Sequence, residues 1–137
     1  MERERQVIAQ IISTGDEVLL GDIADTNAAF LSANLKDLGF QVKGIHVVGD
    51  DVDDIETTIA RVSHHTDICL VTGGLGPTSD DLTALACSKA ANDCLELNQD
   101  ALKSMNAFFK KRGFELTKEN EKQALLPSQS DMIVNNY

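Results

Sequence analysis

The sequence predicts an α/β fold of three layers, with helices on both faces of a mostly parallel sheet. Short apolar, β-branched runs alternate with helical patterns in the order strand, helix, strand, helix, strand, helix. The run ICLV at 68–71 is apolar throughout, as a strand buried on both faces is. The connections are short and no glycine- or proline-rich linker breaks the chain, so 137 residues read as one domain.

Each element follows from its spacing. Residues 7–13 (VIAQIIS) form the first strand and stop at Thr14-Gly15. Ala28, Leu31, Leu35 and Leu38 keep helical spacing after Thr26, with Asp25, Thr26 and Asn27 as the cap region and Gly39 where a C-terminal cap belongs. Residues 41–48 (QVKGIHVV) form the second strand. Val52, Ile55, Ile59 and Val62 mark the second helix, whose first turn is crowded by Asp50, Asp51, Asp53 and Asp54. After the third strand, residues 72–79 form a loop and Asp80 opens a third helix running to about residue 91. Helices are further expected at 98–112 and 117–126, followed by a short strand at 132–134.

Composition narrows the function. A formal net charge of −10 disfavours polymeric nucleic acid and anionic membrane surfaces. A small phosphorylated ligand would need its charge met locally, by backbone N–H groups, a helix N-terminus or a cation. The polar start lacks a secretory h-region and no apolar run approaches membrane-spanning length, so the cytoplasm is the expected compartment. Cys69, Cys87 and Cys94 form no C-x-x-C pair and read as reduced core residues. His46, His64 and His65 show no ligand spacing, and Lys110-Lys111-Arg112 reads as a solvated helix end.

The stretch 72–83 (TGGLGPTSDDLT) carries the most chemistry. Gly73, Gly74 and Gly76, between a strand and a helix, let the backbone approach a ligand and turn N–H groups toward a phosphate, with Thr72, Thr78 and Ser79 beside them. The competing reading is a strand-to-helix turn capped by Ser79 or Asp80. Asp80 and Asp81 beside a bound phosphate would call for a cation, to which Asp50 could add a second carboxylate, although all these acids could instead complement helix N-termini. The loop 13–27 offers further polar groups in Thr14, Asp16, Glu17 and Asn27.

Taken in order, STGDEVLLGDIADTN, VVGDD, TGGLGPTSDDLT and ENEKQALLP resemble the CinA (competence/damage-inducible protein A) family over essentially the whole chain. Leu75 stands where the wider molybdenum-cofactor family carries threonine, which points away from a molybdopterin adenylyltransferase and from tight pterin binding. The resemblance implies a molybdopterin-binding-type fold, often oligomeric, that hydrolyses ADP-ribose to AMP and ribose 5-phosphate with a divalent metal. It assigns catalysis to Asp81 and Asp50. It places Thr72, Gly73, Gly74, Gly76, Thr78, Ser79, Thr14 and Asn27 at the phosphate or nucleotide, and Asp81, Asp50, Asp80, Asp16 and Glu17 at the metal. Similar proteins continue into a further loop and a nicotinamide-nucleotide amidase domain, so a C-terminally truncated domain is expected. The alternative function is a noncatalytic nucleotide- or pterin-binding module accompanying that amidase.

Overall fold

A computed structural model describes residues 5–135. The central strand β1 (Ile8–Thr14) pairs in parallel with β2 (Gln41–Val48) on one side and β3 (Ile68–Thr72) on the other, giving the order β2-β1-β3. One register shift interrupts the β1–β2 ladder between Ala9 and Gln10. There Gly44 faces the Gln10 amide, which pairs with His46 Nε2 at 2.8 Å. Burial lowers the His46 pKa, while His64 and His65 are exposed.

Alternation along β1 sends Ala9 and Ile11 to one face and Ile12 to the other. The first face is covered by α2 (Thr26–Asp37) through Ala28 and Leu35. The second is covered by α3 (Val52–Ser63) and α4 (Thr83–Ala90), whose Ile55, Val62 and Ala86 pack on Ile12 and Val48. Three layers result. Ile12 and Ile55 are essentially unexposed, and burying each side chain contributes about 1.5–3 kcal/mol. Helices α2 and α3 begin on acids of the kind the sequence offers as caps: Asp25 accepts from Ala28 N, and Asp51 accepts from Asp53 N and Asp54 N.

Several boundaries differ from the sequence reading. A single helical turn, α1 (Asp16–Leu19), interrupts the first loop. Helix α4 starts at Thr83 rather than Asp80 and has no side-chain cap, so neither Ser79 nor Asp80 caps it. After β4 (Leu95–Leu97) and α5 (Gln99–Lys111), the expected helix at 117–126 shrinks to α6 (Lys118–Glu121) and a 3-10 turn at Lys122–Ala124. The chain then extends as β5 (Leu125–Pro127), antiparallel to β4. No strand forms at 132–134, where Ile133 is almost fully exposed and has no neighbouring strand to pair with. Cys69 and Cys87 are partly buried, with thiol pKa values raised by burial, whereas Cys94 is exposed and is not a core residue. No helix among the described residues is long and apolar enough to cross a membrane. The polar residues 1–4 and the last two residues of the sequence lie outside the described part.

Candidate functional site

Because β1, β2 and β3 run parallel, the loops that follow them all emerge at one edge of the sheet. Between the first of these loops and the end of β3 lies a cleft of about 410 Å³, counting space open to solvent. Ser13 and Thr14 contribute from β1, Glu17 and Val18 from α1, residues 23–27 from the entry to α2, and Thr72 and Gly73 from β3 and its turn. Asn27 Nδ2 donates to Thr72 Oγ1 at 3.3 Å and ties the helix start to the strand end. The structure thus gathers Thr14, Glu17, Asn27, Thr72 and Gly73 from the sequence-derived set.

The glycine turn is fixed from beneath by two buried hydroxyls. Thr14 Oγ1 lies 3.0 Å from Thr83 Oγ1, which donates to the Gly73 carbonyl at 2.8 Å. Gly73 has φ +92°, and a Cβ there would sit 2.2 Å from the Thr14 carbonyl oxygen. Gly74, at φ +58°, would bring a Cβ within 2.5 Å of Thr83 Oγ1. Glycine is required at both places by conformation and by space. The Thr14 hydroxyl serves this turn, and the first N–H of α4, on Thr83, donates to the Gly74 carbonyl at 3.2 Å.

Asp81 is not the free loop carboxylate that the sequence suggests. Its Oδ2 accepts from Thr78 N at 2.9 Å and from Thr78 Oγ1 at 2.6 Å. Asp80 also accepts from Thr78 Oγ1, and one hydroxyl proton serves the two acids in turn. The Thr78 hydroxyl, aided by the Gly76 and Thr78 amides and the nearby Lys122 ammonium, holds the Asp81 pKa below the usual carboxylate range. Lys122 Nζ donates to the carbonyls of Thr78 and of Asp81, the latter at 2.7 Å, and Gln123 Nε2 donates to the Leu75 carbonyl at 3.2 Å. Spacing gave no role to Lys122 or Gln123; the ENEKQALLP stretch was their only signal.

Since folding depresses the Asp81 pKa, its contribution is present above the unfolded value and is lost as pH falls through the folded one. Asp81→Asn is expected to lower stability by about 1 kcal/mol at pH 7, a value that allows for its partial exposure. Denaturation of both proteins across pH 2–7 checks this: the difference should close at the acidic end, and a gap independent of pH would count against a charge-based role.

The acids assigned to a metal divide into two groups. Asp16 Oδ1 accepts from Asp50 N at 2.9 Å and Asp50 Oδ2 accepts from Asp16 N at 3.2 Å, beside Glu17 at the β1–β2 end. Asp80 and Asp81 are bonded within the loop after β3. Among the described residues, no three His, Cys, Asp or Glu side chains gather as a metal site would need. The donor set among the described residues therefore does not fit a single shared ion. Thr78, Ser79, Asp80 and Asp81 do not line the cleft, nor does Leu75, which is 56% exposed.

An α/β domain with a cleft at the carboxyl edge of a parallel sheet is the class that this geometry defines. The profile described as "Probable molybdopterin binding domain" matches residues 10–135. A CinA-like protein of Escherichia coli is 45% identical over 126 residues, 92% of this chain and 31% of its own length. One from Desulfosudis oleivorans is 45% identical over 94% of this chain and 31% of its own length. The crystal structure of the protein CinA from Thermoplasma acidophilum superposes with a TM-score of 0.86 at 35% identity, covering 96% of this chain and 76% of that one. The molybdopterin biosynthesis enzyme MoaB of Thermus thermophilus shares the fold, with a TM-score of 0.56 at 19% identity over 74% of this chain and 64% of its own. The chain belongs to the molybdopterin-binding-domain family, in its CinA branch. It spans about a third of the length of the curated relatives it matches.

Proposed function

We infer that this domain is a binding module for a small phosphorylated nucleotide or pterin, with ADP-ribose the leading ligand. The observation that carries the reading is the cleft itself, which lies at the carboxyl edge of the parallel sheet and is bordered by Gly73. Parallel α/β sheets hold ligands at this edge, and a glycine turn lets backbone N–H groups approach a phosphate without a side chain between. The family's description, a probable molybdopterin binding domain, supports a ligand of this class.

Hydrolysis of the ADP-ribose pyrophosphate to AMP and ribose 5-phosphate, with a divalent cation, is the second reading. Its support is the acidic character of this edge: Glu17 lines the cleft, and Asp16 and Asp50 each accept from the other's backbone N–H at the ends of β1 and β2. In the longer protein, homo-oligomerisation and an amidase partner domain belong to the same proposal.

Calorimetric titration of the chain with ADP-ribose, AMP and pterin ligands tests binding. Incubation of the chain and of a full-length CinA-like relative with ADP-ribose and a panel of divalent cations tests turnover. Binding without AMP formation by either protein identifies a module, and AMP formation identifies a hydrolase. If none of the ligands binds or is turned over, the reading fails.

A further inference from the structure

Among α2, α3, α4 and α5, the last has the fewest buried residues, a single alanine. Ala101, Leu102, Met105, Phe108 and Phe109 recur at helical spacing along one side of α5, yet only Ala101 is buried and Phe108 is 44% exposed. A depression of about 640 Å³, counting space open to solvent, runs beside this stripe. Ser104, Met105, Phe108 and Phe109 line it, with Gln123 and Asn135 at its border. The Phe108 ring is held in place: it stands edge-on to Phe109, centroids 5.9 Å apart, and the Arg112 guanidinium lies 4.2 Å over its centre. An ordered aromatic ring on an open apolar stripe is the kind of surface on which proteins associate.

Charge decides what seats there. The chain carries a net −10, so two copies repel over most of their surfaces. Residues 96–115 nearly escape that excess, with Glu96, Asp100 and Glu115 against Lys103, Lys110, Lys111 and Arg112. The signs are also segregated along α5, with Asp100 in the first turn and Lys111 in the last. Eleven residues make three helical turns to within about 20°, so these two side chains leave the same flank of the helix, on the side of Ser104 and Phe108. They stand equally far from the point between Met105 and Asn106. A two-fold axis at that point therefore sets Lys111 of each copy beside Asp100 of the other and lays the two apolar stripes together. The small side chain of Ser104 leaves room for the helices to approach. An acid on the same flank disfavours an anionic lipid surface as the occupant.

We propose that α5 is a self-association surface, on which a second copy of this chain docks antiparallel across a two-fold axis at Met105–Asn106. Phe108 lies in the seam and Asp100–Lys111 pairs lie on its flank. The inference gives the homo-oligomerisation named above its surface and rests on that part of the reading, whichever ligand the cleft takes.

Sedimentation of the unaltered chain over a concentration series is expected to show a reversible dimer. Phe108→Ser should weaken it about tenfold or more while circular dichroism shows the fold retained. Asp100→Lys and Lys111→Glu should each weaken self-association about fivefold or more, since each sets like charges against one another across the axis. Mixed in equal amounts, those two variants should pair with each other as tightly as the unaltered chain does with itself, because every flank contact then joins opposite signs. A mixture that fails to restore the dimer overturns the two-fold arrangement. A chain that stays monomeric up to the millimolar range overturns the surface, as does a dimer that all three variants leave equally tight. A monomeric chain that binds phosphatidylglycerol vesicles through Phe108 gives the face to lipid and overturns the inference as well. The same sedimentation on the full-length CinA-like relative separates the two levels: an oligomeric relative keeps the homo-oligomerisation reading when this surface fails, and a monomeric one sinks both.

Discussion

Gly73→Ala should lower the unfolding free energy by about 3 kcal/mol or more, the larger of the effects expected from single substitutions around the site. Two costs add. At φ +92° an L side chain is strained, which alone amounts to about 1–2 kcal/mol. In addition, the new Cβ would lie 2.2 Å from the Thr14 carbonyl oxygen, a backbone atom of the central strand that has no rotamer into which to retreat. Gly113→Ala separates the two terms, because Gly113 has φ +78° with nothing within 4 Å of the added carbon. Urea denaturation of both variants should show Gly113→Ala paying only the conformational cost. Equal destabilisation of the two would show that the turn after β3 yields without resistance.

The second large effect is expected at Thr83, which is 2% exposed and carries the hydroxyl relay under the glycine turn. Thr83→Val keeps the shape and removes both bonds, leaving the Gly73 carbonyl without its donor and the Thr14 hydroxyl without its nearer acceptor. A loss of about 2 kcal/mol follows from stranding these buried groups, and Thr83→Ser should recover most of it by restoring the hydroxyl. Thermal or chemical denaturation of the pair decides. If valine and serine are equally tolerated, the relay does not hold the turn.

The sheet and its two covering layers were legible because their signals are local. The apolar positions at 28, 31 and 35, and at 52, 55, 59 and 62, repeat at helical spacing, and the helices found there begin beside the acids expected to cap them. The strands at 41–48 and 68–72 stand within a residue of their expected ends. The pairing of β4 with β5 was not legible: three residues on each side meet across α5, α6 and the 3-10 turn, and neither segment alternates long enough to show a period. The same reason hid the start of α4. Residues 80–82 look like a helical first turn when read alone, but their backbone and side chains are engaged by Thr78 and Lys122.

At the site, the residue types were legible and their allegiances were not. Thr14, Asn27, Thr72 and Gly73 come together at the cleft, and the hydroxyls of Thr14 and Thr83 pair with each other below the turn. Ser13 passed for ordinary strand interior, since nothing in the sequence says that its oxygen lacks a partner among the described residues. Asp25 was read as a cap, which is true of only one of its oxygens.

The brace on the glycine loop comes from far along the chain. Lys122 reaches the Asp81 carbonyl across 41 positions and the Thr78 carbonyl across 44. Without that lysine the loop loses this brace and keeps its own Thr78–Asp81 bonds and the threonine pair beneath the turn. Proteolytic cleavage between α5 and Lys122 is therefore expected to loosen a loop that lies some forty positions upstream of the cut.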